Sequence, residues 1–219
     1  MEMTEERFLK GMTPTEHVGR MKVNRGRFVE VMSAVEIPQE DREYFADLTS
    51  PLRVAVVTED WCGDHVSTVP VLYRLAVESG KLDVRVFMRD ESWDLADAFL
   101  PPHRRDTVPV FAFFTGGDMR WIAVFIETSR GLVPVLDGMD DAIRDSLAHL
   151  PDIRADVNDM SQETRTALRR ERGLYRVNHA AEWGRVISGD FRDVVADGLS
   201  RGPNSPPAEA GTEWPVPVA

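Results

Sequence analysis

Residues 58–65 read Thr-Glu-Asp-Trp-Cys-Gly-Asp-His and hold the chain's single cysteine, Cys62. A thiol attacks or ligates only as thiolate, so what matters first is what surrounds the sulfur. The segment follows a short apolar run at residues 54–57 and precedes a stretch of helical periodicity. That places Cys62 at a helix N-terminus, where unpaired N–H groups and the positive end of the macrodipole favour an anion. His65 comes three residues on, one turn along the helix and within reach of the sulfur. As imidazolium it would lower the thiol pKa; as neutral imidazole it would accept the proton. Glu59, Asp60 and Asp64 oppose a further negative charge, and the sign of the net shift stays open at this level. The plainer alternative is that Cys62 is a small buried apolar residue and His65 a partly exposed helix residue.

Other chemistries find weaker support. Cys62, His65 and Asp60 or Asp64 offer sulfur, imidazole and carboxylate, all zinc ligands, but His17, His103, His149 and His179 have no paired spacing, so no metal site is expected. Arg165, Arg169, Arg170, Arg172 and Arg176 crowd one helical stretch; they suit an anion or an acidic surface, although a solvated face with local ion pairs is the simpler reading. No phosphate-binding glycine loop, serine elbow or zinc-protease signature is present, and no cofactor is called for.

The 219 residues are 42% hydrophobic and 29% charged, enough to bury a core without a staple. One cysteine excludes an internal disulfide and fits a reducing cytoplasm. The first twenty residues scatter charge and contain no apolar stretch for a signal peptide, and no run approaches the ~20 residues of a membrane span, so a cytoplasmic, membrane-free protein is expected. A formal net charge of -11 argues against nucleic acid as a partner.

The elements that must position the thiol follow from periodicity. Thr13-Pro14-Thr15-Glu16 forms a capping box opening a short helix. Phe28, Val31, Met32 and Val35 share one helical face, and Pro38 opens a third helix. Residues 54–57 read as a strand buried on both faces, the helix from Gly63 runs to a left-handed stop at Gly80, and Leu82, Val84, Val86 and Met88 alternate as a second strand. A short helix at 93–100 precedes two strands, 109–114 and 121–125, joined as a hairpin, and a helix at 140–150 closes the unit. One or two amphipathic helices follow, to about Leu199. Residues 201–219 lack a core pattern and are expected to form a Pro-rich flexible tail.

The β-α-β-α-β-β-α order, the Trp61-Cys62-Gly63 opening, Pro70 eight positions after the cysteine, and Val108-Pro109 at the third strand together resemble the thioredoxin fold. Glu59 to Asp64 with Arg89-Asp90-Glu91 is similar to a bacterial thioredoxin-like family with a Trp-Cys-Gly-Asp motif. The fold class implied is α/β: a thioredoxin-like three-layer α/β/α sandwich with a mixed four-stranded sheet and helical extensions at both ends. The divisions expected are 1–51 (N-terminal helices), 52–150 (thioredoxin-like domain), 151–200 (C-terminal helices) and 201–219 (tail). The resemblance implies a cis Val108-Pro109 peptide beside the cysteine and a substrate groove of Trp61, Gly63, Asp64, Val108 and Pro109. It departs from thioredoxin where His65 replaces the second cysteine. The function expected is monothiol thiol-disulfide redox activity through Cys62 and His65, acting on a protein or low-molecular-weight thiol or disulfide; the alternative is a redox-inactive binding module. A homodimer is also compatible with the extra helices.

Overall fold

The computed structural model describes residues 3–212. Four N-terminal helices, α1 (Glu5–Leu9), α2 (Pro14–Arg20), α3 (Arg25–Ala34) and α4 (Gln39–Ala46), precede β1 (Leu52–Thr58), α5 (Gly63–Ser79), β2 (Leu82–Met88) and α6 (Trp93–Phe99). The hairpin β3 (Val110–Thr115) and β4 (Trp121–Ile126) leads into α7 (Val133–Ser146), α8 (Gln162–Asn178), α9 (Ala180–Ser200) and β5 (Ala208–Gly211).

Local sequence explains most boundaries. The Thr13 hydroxyl accepts from the Glu16 N–H, and the Glu16 carboxylate accepts from the Thr13 N–H at 2.7 Å, the reciprocal cap that starts α2. Gly80, at φ 64, closes α5 in the left-handed region. The helix preceding α8 starts earlier than the sequence pattern suggests. Pro134 sits in its first turn, so α7 begins at Val133 rather than near Asp140.

The sheet runs β2-β1-β3-β4-β5. β2 and β5 lie parallel to their neighbours, while β1–β3 and β3–β4 are antiparallel. Side chains alternate across it. Val54, Val56, Phe111, Phe113 and Phe125 face a large cluster shared with α3, α5 and α9; Ala55, Val57, Val110, Ala112 and Val124 face a smaller one with Phe8, Leu95 and Phe99. Phe191 of α9 is the centre of the larger layer, its ring 4.7 Å from Phe125 and 5.1 Å from Phe111. The C-terminal helices therefore cover the sheet rather than standing apart from it.

Two expectations need correction. The sheet has five strands, not four, and the added strand comes from the segment expected to be a flexible tail. β5 is a short edge of Ala, Glu and Gly residues, held by backbone pairing with β4 and by the complete burial of Ala208 rather than by an apolar stripe. Its end is clamped. Thr212 N–H donates to the Ile126 carbonyl at 2.9 Å, and the buried Arg104 guanidinium donates to the Thr212 hydroxyl at 3.0 Å and lies 3.6 Å from Glu127. Trp214, also assigned to the tail, lies outside the described residues.

Truncation after Gly202 removes β5 and takes Thr212 from a buried guanidinium. The cost is about 2–4 kcal/mol, and the thermal midpoint should fall by roughly 5–15 °C. A midpoint unchanged by the truncation would show that β5 adds nothing to the fold.

Candidate functional site

Cys62 is the N-cap of α5, with φ -72 and ψ 135, and its own N–H donates to the Glu59 carbonyl at 3.2 Å. Its thiol is half-buried and donates to the Val108 carbonyl at 3.3 Å. The Val108–Pro109 peptide is cis, and both residues are buried beside the sulfur. Of the remaining groove residues, Gly63 and Asp64 form the first turn of α5, while Trp61 is 53% exposed with the Arg89 guanidinium 5.4 Å from its ring centre. Burial and the Asp64 carboxylate push the Cys62 thiol up; the His65 and Asp64 N–H groups favour thiolate, Glu127 opposes it, and the balance is a pKa of about 11. At neutral pH the proton stays on sulfur.

His65 does not reach the thiol as its spacing suggests. Position i+3 falls on the side of α5 turned toward the core, and the imidazole is fully buried. Its Nδ1 lies 2.9 Å from the Thr58 hydroxyl of β1, its ring stacks on Phe28 at 4.9 Å, and the His17 ring meets it edge-on at 5.2 Å. His17 in turn bonds the Tyr73 hydroxyl at 2.8 Å. Burial holds both histidines neutral, His17 with a pKa of about 4 and His65 well below the usual value, the two rings also disfavouring a shared charge. His65 is therefore part of the aromatic packing of α2, α3 and α5 and supplies neither a positive charge nor a base to Cys62.

The three carboxylates separate in the same way. Glu59 accepts from the Asp90 N–H at 2.9 Å, and Asp60 accepts from the Lys22 and Val23 N–H groups at 2.7 and 3.1 Å. Both tie the β1–α5 loop to neighbouring segments. Asp64 alone of the three acts on the thiol. Burial pushes it up to about 6, against the pull of Arg176 and with Glu127 adding to the rise.

Arg176 is the residue that sequence reasoning did not place. It reaches from α8 over Gly63, so near that a Cβ at position 63 would collide with the guanidinium. Its Nε donates to the Ser67 hydroxyl at 3.2 Å and one Nη to the Arg172 carbonyl at 3.3 Å. Arg165, Arg169, Arg172 and Arg176 follow an i, i+4, i+7, i+11 spacing, which was visible as a single helical stripe; what it faces was not. Beside Cys62, α7, α8 and the first turn of α5 enclose a cleft of about 1200 Å³, lined by that stripe together with Asp64, Glu127 and Asp140. Among the described residues no group of three His, Cys, Asp or Glu side chains is placed to hold a metal ion.

Comparison with known proteins supports the fold. A family model described as thioredoxin matches residues 11–140. A 1.5 Å crystal structure of a protein of unknown function from Pseudomonas aeruginosa is 15% identical, with a TM-score of 0.57, covering 91% of this chain and 100% of that one. An HIV epitope-scaffold is 14% identical, with a TM-score of 0.53 and coverage of 90% and 98%. The comparison with curated proteins gave no match.

The buried titratable groups set a pH signature. Below about pH 6.5 the unfolded chain takes up protons at His17 and His65 that the folded chain refuses, so stability falls on acidification. Asp64 works in the opposite sense: its folded carboxyl binds a proton near pH 6 and its unfolded one near 3.8, so acidification through that window is stabilising. Asp64→Asn removes only this second contribution. In urea unfolding at pH 7, 6 and 5 the variant should lose stability more steeply than the wild type, by up to about 1.4 kcal/mol per pH unit. Parallel profiles would show that Asp64 titrates normally.

Proposed function

Because the chain belongs to the thioredoxin family, its function is to be sought at the thiol and the edge beside Pro109, and we propose that it is a thioredoxin-fold binding module in which Cys62 is a contact surface rather than a redox nucleophile. The observation that carries this reading is the place of His65. Where a dithiol enzyme of this fold needs a second thiol, an imidazole is sealed between Thr58 and Phe28. Cys62 is left without a resolving sulfur and without an imidazole at the thiol, and its proton is engaged by the Val108 carbonyl. A thiol with a pKa of about 11 is almost wholly protonated at pH 7 and reacts slowly. The exposed Trp61 and the adjoining cleft supply the contact area that such a module needs.

One observation favours the second reading, monothiol exchange. The N–H groups of Asp64 and His65 at the start of α5 favour the sulfur's anionic form, as a helix terminus should. In that chemistry the Cys62 thiolate attacks one sulfur of an external disulfide, a mixed disulfide forms and the other sulfur leaves as thiolate; a second external thiol must then attack to release the protein.

Incubation with oxidised glutathione at pH 7.5, followed by mass spectrometry of the intact chain, separates the two. Wild type should gain no adduct beyond that of Cys62→Ser on the timescale of minutes, and should not accelerate insulin reduction by dithiothreitol. Rapid, stoichiometric glutathionylation of Cys62 would overturn the binding-module reading in favour of monothiol exchange.

A further inference from the structure

The cleft beside Cys62 carries charge of the opposite sign to the chain as a whole. The chain has a formal net charge of -11, yet six arginines against four carboxylates line this cavity. The carboxylates are partly committed already. Asp140 bonds Arg144 at 3.1 Å and also Arg172, and Asp64 faces Arg176. Arg165 donates to the Asn158 carbonyl at 3.3 Å, and neither it nor the exposed Arg169 makes an ion pair among the described residues. Like charges held along one helix face cost stability unless something answers them.

The stripe is also long and amphipathic. From Arg165 to Arg176 the helix rises about 16 Å. Val66, Val133, Leu136, Met139 and Leu168 provide apolar wall between the guanidinium groups and the opposite side. At its inner end the cleft meets the first turn of α5, where the Arg176 guanidinium lies over Gly63. The volume of about 1200 Å³ is that of a site for an organic ligand, not for a single ion.

We propose that this cleft binds a small phosphorylated molecule with an apolar portion, its phosphate groups held by Arg165, Arg169 and Arg176. The proposal rests on the binding-module reading and names the class of ligand for it. Guanidinium forks match phosphate oxygens in pairs, and a phosphate group carries more charge than a carboxylate with which to compete against Asp64 and Asp140. A small anion is favoured over an acidic protein on electrostatic grounds. A macromolecular acidic surface would meet the repulsion of the whole chain, whereas a small ligand inside the cleft lies within one Debye length, about 8–10 Å, of the guanidiniums.

The test is calorimetric titration of the full chain with inorganic pyrophosphate, and in parallel with tricarballylate, at low and at physiological ionic strength. Pyrophosphate should bind saturably at one site and more tightly than tricarballylate. The Arg165→Ala/Arg169→Ala double variant, altered only on the outer part of α8, should keep the thermal midpoint of the wild type and bind pyrophosphate roughly tenfold or more weakly. Lys10→Ala, on an exposed side chain outside the cleft lining, should bind as the wild type does. Absence of saturable binding, equal weakening by Lys10→Ala, undiminished binding by the double variant, or a preference for tricarballylate would each overturn the proposal. The two readings fail separately: rapid glutathionylation of Cys62 would count against the binding-module reading while leaving saturable pyrophosphate binding intact.

Discussion

The surroundings of the thiol turn on the contact between Arg176 and Gly63. The Arg176 guanidinium lies over the first turn of α5 where Gly63 carries no Cβ, and a side chain there would require that guanidinium to shift. α8 packs chiefly on α3 and α7 and touches α5 through this contact, while α9 packs on α5 and carries Phe191 into the aromatic layer on the sheet. The contact also sets the electrostatics. Burial depresses the tendency of Arg176 to stay charged, Asp64 restores it, and the carboxylate so retained raises the neighbouring thiol. A cation brought in to accompany the helix terminus is thus balanced by an anion, and Cys62 sees little net benefit from either.

Two family features stand in this chain, and a third position differs. The cysteine stands at the helix N-terminus beside the Val108–Pro109 edge, as the resemblance implies. The residue one turn on has gone to the core. An imidazole buried without a partner for its Nε2 is costly, and its cost is met by stacking with Phe28 and by the Thr58 hydroxyl. Such a residue stabilises a particular arrangement of α2, α3 and α5. Its ring is committed there, while the thiol donates to the Val108 carbonyl.

What the sequence made legible were features encoded locally. The Thr13 capping box, the Gly80 stop, the doubly buried β1 and the β3–β4 hairpin follow from residue type and period, and each stands in the structure. What it hid were features that depend on distant partners. β5 has no strand signature because its four residues are held by the edge of β4 and by the Arg104–Thr212 clamp, more than a hundred residues apart. The direction of His65 was hidden too, since i+3 spacing gives a turn of helix but not the face that meets the core. The arginine stripe could be counted, but that Arg176 would lie across Gly63 required the docking of α8, 113 positions further along the chain.

The account stands or falls on the protonation state of one sulfur. Titration of the wild-type chain by the ultraviolet absorbance of its thiolate, with Cys62→Ser as the blank, reads it directly, because Cys62 is the only cysteine. The structure predicts a single transition with a midpoint near 11, the value set by burial and by Asp64. A midpoint at or below neutrality would mean that the N–H groups of the α5 terminus outweigh both, and that Cys62 is a nucleophile after all.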